Sequence, residues 1–311
     1  MQKSLFAIAK KTLRWLILGG TLFFIIKALK NNWQEVAAIH IDNIGWSILA
    51  LATGITLMAH IWAGWVWTWV IKELCPSIYA AHFIQVYLKT NIAKYLPGNI
   101  WHYYGRIVGA RSAGVSLSVA TLSVLLEPLL MAAAALIIVI LGSQFTRTDS
   151  SMILAAQVTG LLITLAAIHP QFLNRILHSL QKAKQKKAPQ DSVSITPVNL
   201  KRYPFIPLLG EFGFLGLRSS GFLLTIFALQ PLHWQQIPLI IAAFSFSWLL
   251  GLVVPGAPGG LGVFEATAIA MLQSHFSMAV IIGAIGMYRL VSTLAEIIAA
   301  ILAWSDERLT N

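Results

Sequence analysis

Long apolar runs with almost no charge are the feature that most limits how this chain can fold. Two of them, Trp46–Ile71 and Leu117–Gly142, are each long enough to cross the hydrocarbon core of a bilayer as one helix. Neither run alternates between apolar and polar residues, as the strands of a transmembrane barrel do. The runs therefore predict helical membrane spans.

The composition extends this prediction to the whole chain. Hydrophobic residues make up 57% of the 311 residues, charged residues make up 11%, and the mean hydropathy is +0.74. A soluble domain carries about 25% charged residues, so a soluble enzyme and a nucleic-acid-binding domain are both excluded. We predict an all-α, polytopic transmembrane helix bundle with about seven to eight spans.

Further apolar runs supply the remaining spans. Leu13–Ile26 follows several basic residues and is not followed by a small-residue cleavage site, which indicates an uncleaved first span with a cytoplasmic N-terminus. The other runs are Met152–Ile168, Phe205–Leu229, Ile237–Val254 and Val280–Trp304.

The distribution of basic residues indicates how the chain is oriented in the membrane. The formal net charge is +11, and the polar stretch 170–203 is strongly basic, so we place this loop in the cytoplasm. Counting crossings puts the other basic clusters on the same side, including Lys89, Lys94, Arg106 and Arg111. We therefore expect a multi-pass protein of the cell inner (plasma) membrane and no nucleic-acid partner.

Two segments fit neither a span nor a loop. Residues 78–92 form a short predicted helix that ends at Pro97-Gly98, and the second segment carries Pro258, Gly259, Gly260 and Gly262. Proline and glycine free backbone groups that must lie within protein or line a wet cavity. We predict two re-entrant or broken helices, with ordinary interfacial turns as the alternative.

The two segments resemble copies of each other. Pro97-Gly98 precedes Ser116 by the same number of residues as Pro258-Gly259 precedes Ser277, and a span with a central charge follows each serine. We predict one membrane domain over residues 1–311, with repeats at about 10–169 and 204–305 around the 170–203 loop. The span count makes the repeats parallel, although an extra crossing in either segment would invert one of them.

Several charged residues lie inside apolar segments, where each costs at least about 2.5 kcal/mol. Together they predict a polar path inside the membrane, with structural ion pairs as the alternative for any single residue. His60 is interpreted as a packing residue rather than a proton relay. The predicted path residues are Glu127, Glu211, Arg218, Glu265, Arg289 and Glu296.

No catalytic motif stands out. The sequence has no P-loop, no dinucleotide-binding glycine fingerprint and no closely spaced histidine pair, and Cys75 is its single cysteine. We assign no catalytic residue and expect no metal and no cofactor. Between the two classes, we favour a transporter over an enzyme.

The sequence Pro258-Gly259-Gly260-Leu261-Gly262-Val263-Phe264-Glu265 resembles the Pro-Gly-Gly-x-Gly-x-x-Glu signature of the lysylphosphatidylglycerol synthase transmembrane family. This family includes the flippase region of the bacterial multiple peptide resistance factor. Leu96-Pro97-Gly98 with Gly105-Arg106 resembles the first Pro-Gly segment of the family, although Asn99–His102 stands where small residues are commoner. The resemblance covers roughly residues 10–305.

The resemblance implies a flippase-like lipid translocase for a lipid with a charged or glycosylated headgroup, with Glu265 carried over from the matching motif. In this hypothesis Lys89, Lys94, Arg106 and Arg111 recruit the headgroup. Expected partners are anionic, aminoacylated or polyprenyl-linked lipids, and also a glycosyltransferase or a second copy of the chain. The chain ends at Asn311 without a soluble aminoacyl-transfer domain, so we expect no lysyl transfer.

Two alternatives stay open. The first is an integral-membrane glycosyltransferase, or its accessory subunit, acting on a polyprenyl or glycolipid substrate. The second is a structural assembly partner that moves no lipid.

Overall fold

The structure is a computed structural model that describes residues 26–76, 78–96, 100–143, 151–175, 199–254 and 257–310, together with Gly19 and Phe23. These residues form helices and turns without a strand, which confirms the all-α prediction. The helices are α1 (Trp33–Ala37), α2 (Asn43–Leu74), α3 (Ala80–Asn91), α4 (Trp101–Ser112), α5 (Leu117–Gly142), α6 (Ser151–Ile168), α7 (Phe205–Phe227), α8 (Ile237–Val253), α9 (Val263–Leu272) and α10 (Met278–Thr310).

Within the described residues, five helical segments are long and apolar enough to cross a membrane. They are Asn43–Leu74, Leu117–Gly142, Ser151–Ile168, Trp234–Val253 and Met278–Asp306. Helix α7 carries two charges and has 23 residues, or about 35 Å of length. The chain is thus a multi-pass membrane protein. Most of the predicted first span, Leu13–Ile26, and most of the basic loop lie outside the described residues.

Side-chain caps explain where the long helices begin. The Asp42 carboxylate accepts a hydrogen bond from the Gly45 backbone N–H, which starts α2. Ser116 caps α5 by accepting from the Val119 N–H, and Ser277 accepts from the Val280 N–H at the start of α10. Ser116 and Ser277, which mark the predicted repeats, therefore each cap the long helix that follows.

The first broken segment is an antiparallel pair of helices, α3 and α4, joined through a 3₁₀ turn at Ile92–Tyr95; we call it the first hairpin. Gly105 and Gly109 of α4 lie against Thr90 and Val86 of α3. Because neither glycine has a side chain, the two helices of the hairpin approach closely at these positions. Pro97 and Gly98, the predicted helix stop, lie outside the described residues.

The second broken segment consists of α8, a 3₁₀ turn at Pro258–Gly260, and α9; we call it the second hairpin. Gly259, Gly260 and Gly262 have φ values of 59°, 72° and 85°, which side chains other than glycine rarely adopt. Gly251 on α8 packs directly against Gly260. The glycines of the signature therefore let the chain turn back on itself.

Helix α7 shows how the hairpins are oriented. Just before α7, Arg202 pairs with Glu73 at the end of α2, from which the first hairpin follows, and these hydrogen bonds raise the pKa of Arg202. Just after α7, Leu229 packs against Gly283 near the start of α10, which follows the second hairpin. The hairpins therefore enter from opposite ends of α7.

The two hairpins are consequently inverted relative to each other, whereas the span count made the predicted repeats parallel; that the two halves are repeats stays a prediction. The count omitted the return leg α9, which has only 10 residues and brings the chain back before α10 begins. A hydrogen bond from Gln85 to Asp306 agrees with this arrangement, because it places the end of α10 beside the first hairpin.

Aromatic packing fixes both hairpins to the spans. Trp67 of α2 is fully buried and packs edge-on against Phe83 of the first hairpin. Four further rings hold the second hairpin between α7 and α10, with centroids 5.3 to 6.2 Å apart. They belong to Phe222, Phe244, Phe264 and Tyr288.

Candidate functional site

The tips of the two hairpins meet inside the bundle, where Gly259 lies against the ring of Tyr95. A cavity of about 120 Å³ lies at this meeting point, lined by both hairpins and by α2, α5, α7 and α10. Its polar and charged lining includes His60, Asn91, Lys94, His102, Arg106, Glu127, Arg218, Arg289 and Ser292.

The first ion pair joins the first hairpin to α5. Arg106 Nη1 donates to Glu127 Oε2 over 2.6 Å, and the Tyr87 hydroxyl donates to Glu127 Oε1 over 2.9 Å. The guanidinium also lies 3.6 Å from the centre of the Tyr87 ring. Arg106 and Glu127 are 3% and 2% exposed, so both charges are shielded from bulk water and depend on each other.

The second ion pair holds the tip of the second hairpin. Arg289 of α10 donates through Nε to Glu265 Oε1 over 2.5 Å. The other Glu265 oxygen accepts from the Gly262 N–H, which caps α9. Arg289 also donates to the carbonyl oxygens of Gly259 and Gly260 over 3.2 and 3.3 Å. One arginine therefore ties the whole glycine turn to α10.

A third ion pair ties the tip of the first hairpin to α10. Lys94 Nζ donates to Glu296 Oε1 over 2.6 Å, and Ser292 donates to the same oxygen over 3.2 Å. His60 Nε2 lies 3.4 Å from that oxygen. Lys94 is only partly buried, whereas Glu296 is almost fully enclosed.

Arg218 is the fourth cation of the cavity, and it lies within ion-pair distance of no carboxylate among the described residues. Its Nη1 donates to Ser292 over 3.0 Å and faces His60 Nε2 at 3.3 Å. Its Nε is buried without a hydrogen-bond partner, as is the Nε of Arg106. The described part of the site thus has three carboxylate-paired cations and one in excess.

A known protein family matches most of the chain. The family described as lysylphosphatidylglycerol synthase TM region matches residues 12–300. The chain belongs to this family. A search of curated proteins finds no match. Membership confirms the resemblance based on the glycine signature, and the description of the family points to a role with membrane lipids.

The structure separates the predicted path residues of this lysylphosphatidylglycerol synthase TM protein into three groups. Glu127, Arg218 and Arg289 line the cavity, and Glu265 and Glu296 lie directly behind it as ion-pair partners. Glu211 does not line the cavity and is fully buried in α7. Their role in a lipid path stays a prediction.

The predicted recruitment residues also divide. Lys94 and Arg106 lie in the cavity and pair with carboxylates, so the structure places them with the path residues. Lys89 is half-buried outside the cavity, and Arg111 is exposed near the end of α4. Lys89 and Arg111 thus lie outside the cavity, and the recruitment role of all four residues stays a prediction.

Sequence reasoning missed the tyrosines of this site. Tyr87, Tyr95, Tyr103 and Tyr288 all line the cavity. A sequence signal was present for Tyr95, which follows Lys94 in the chain and has the Lys94 ammonium group 5.2 Å from its ring centre. Tyr288 lies beside Arg218 of α7, a contact that sequence position does not reveal.

Proposed function

We propose that this protein is a flippase-like lipid translocase, without lysyl-transfer activity, that moves a lipid with a phosphate-bearing headgroup across the membrane. The observation that carries the proposal is the cavity between two oppositely directed hairpins, lined by more cations than carboxylates. We place the protein in the cell inner (plasma) membrane with its N-terminus in the cytoplasm, from the positions of its basic residues.

The charge of the cavity favours a phosphate. Arg218 presents a guanidinium that has no carboxylate at ion-pair distance among the described residues, and its buried Nε has no hydrogen-bond partner. A planar guanidinium binds phosphate oxygens through two parallel hydrogen bonds. Anionic, aminoacylated and polyprenyl-linked lipids all carry a phosphate, so all three belong to the proposed substrate class.

The ion pairs suggest how a headgroup would pass. Inverted repeats in transporters provide access to one central site from either side. Lys94 ties the first hairpin to α10, and Arg289 ties the second hairpin to the same helix. A lipid phosphate would replace either Glu296 as the partner of Lys94 or Glu265 as the partner of Arg289. Either exchange would separate one hairpin tip from α10, while the cation would keep an anionic partner.

The test is transbilayer movement in proteoliposomes that contain headgroup-labelled phosphatidylglycerol, an aminoacylated lipid or a polyprenyl phosphate. We expect the protein to accelerate exchange of at least one lipid between leaflets. Arg218→Gln should slow this exchange at least about tenfold, because it removes a charge-assisted hydrogen bond. Arg202→Gln, which removes an exposed guanidinium outside the cavity and the recruitment residues, is the matched control and should leave the rate unchanged.

The same preparation distinguishes the alternatives. Turnover of a nucleotide sugar without lipid exchange would support an integral-membrane glycosyltransferase. No exchange of any of the three lipids, with and without a proton gradient, would overturn the translocase proposal.

A further inference from the structure

Glu211, about two turns into α7, is a buried carboxyl group that the proposed translocation path does not use. Its side chain is 0% exposed, and neither of its oxygens has a hydrogen-bond partner among the described residues. The other buried carboxylates, Glu127, Glu265 and Glu296, each have a cation within 2.6 Å. Among these four carboxyl groups, Glu211 alone has no cation at ion-pair distance in the described part of the chain.

The charged and titratable groups that face Glu211 come from the first hairpin and α5. They are Arg106, Tyr87 and Glu127, all of which interact with it electrostatically. The other helices packed against α7 contribute uncharged groups at this level. Val66 and Trp69 of α2 lie against Gly210, and Trp248 of α8 packs on Phe214. Helix α10 reaches α7 at Arg218, two turns further along.

An ionised carboxylate cannot stay in such a place without a partner, since an isolated buried charge costs many kcal/mol and the group takes up a proton instead. Among the described residues, the cation that faces Glu211 is Arg106, and it already donates to Glu127. We propose that Glu211 is a proton-binding site linked to the Arg106–Glu127 pair. Resting on the proposed function, we further infer that exchange of this proton accompanies lipid movement.

The exchange is a simple proton transfer. The O–H bond of the Glu211 carboxyl group breaks and leaves its electron pair on the Glu211 carboxylate. The proton passes by way of the neighbouring Glu127 carboxylate, which lines the cavity, to water that enters the cavity. The new anion then attracts Arg106, so the guanidinium is shared by two carboxylates and holds Glu127 less tightly. Arg106 belongs to the first hairpin and Glu127 to α5, so the proton controls how firmly the hairpin is fixed. Reprotonation restores the original pair.

Infrared spectroscopy of the purified full-length protein in nanodiscs tests the proton site without any transport. We expect a protonated-carboxyl C=O band at neutral pH that Glu211→Gln removes. Glu35→Gln, which changes an exposed carboxylate, is the control and should keep the band. Glu127→Gln should also remove it, because Glu211 then becomes the anionic partner of Arg106. A spectrum that Glu211→Gln leaves unchanged would overturn the proposal.

Proteoliposomes with an imposed pH gradient test the coupling. We expect the gradient to change the rate of lipid exchange at least about fivefold for the wild type and not for Glu211→Gln. Wild-type exchange that ignores the gradient would overturn the coupling. If the wild type moves no lipid, the proposed function fails, and the infrared band still decides whether Glu211 binds a proton.

Discussion

Arg106 and Glu265 occupy equivalent places with opposite charge, each on the second leg of a hairpin and each paired with the long helix that follows. In the first half the cation is on the short helix and Glu127 is on the long one. In the second half the carboxylate is on the short helix and Arg289 is on the long one. Each hairpin therefore forms an ion pair with the long helix that follows it, and the two pairs place the cation and the carboxylate on opposite partners.

Removing one member of the buried pair should destabilise the protein strongly. Arg106→Gln leaves Glu127 without its cation at a buried position, and we expect a loss of about 3–5 kcal/mol. The measurement is unfolding in detergent, followed by tryptophan fluorescence. Glu73→Gln breaks the exposed pair with Arg202 and should change stability little. Equal effects of the two substitutions would contradict this ranking.

The glycine turn of the second hairpin should not tolerate a side chain. Gly260 has a φ of 72° and packs against Gly251, so Gly260→Ala should cost about 1–3 kcal/mol. Gly216 in α7 has open space around it, and Gly216→Ala should instead stabilise the helix by up to about 1 kcal/mol. Thermal unfolding of both variants is the check, and a neutral Gly260→Ala would show that the turn is not constrained.

Loss of Glu265 should loosen the second hairpin and leave the first hairpin unchanged. Glu265→Ala removes both the cap on the Gly262 N–H and the partner of Arg289. We expect faster hydrogen exchange over residues 257–265 and unchanged exchange in α3 and α4, measured by mass spectrometry. Glu265→Gln retains a hydrogen-bond acceptor and should fall between the wild type and the alanine variant. Equal increases in both hairpins would mean that the pair holds the whole bundle instead.

Hydropathy and turn residues were sufficient to predict much of the fold. The run Leu117–Gly142 has the same bounds as α5, and the second Pro-Gly segment coincides with the 3₁₀ turn at Pro258–Gly260. The orientation of the repeats could not be predicted in the same way. Val263–Leu272 is too short to be distinguished from a loop-associated apolar stretch, and its direction depends on the positive-φ glycines before it.

The charged residues of the site were found because charge in an apolar run is rare, but their partners were not. Arg106 and Glu127 belong to different helices, so their contact depends on how the first hairpin turns back. Arg106 was grouped with the outer basic residues because the sequence shows its charge and not its depth. The isolation of Glu211 likewise follows from packing, which no spacing in the sequence reveals.

The central claim is that a lipid headgroup enters the cavity between the hairpin tips. The most direct measurement is photolabelling in proteoliposomes with a phosphatidylglycerol that carries a diazirine on its headgroup, followed by peptide mapping. We expect labels on cavity residues such as Tyr95, Tyr103 and Tyr288, reduced in Arg218→Gln. Labels confined to outward-facing side chains such as Leu125 and Leu290, and unchanged by that substitution, would contradict the claim.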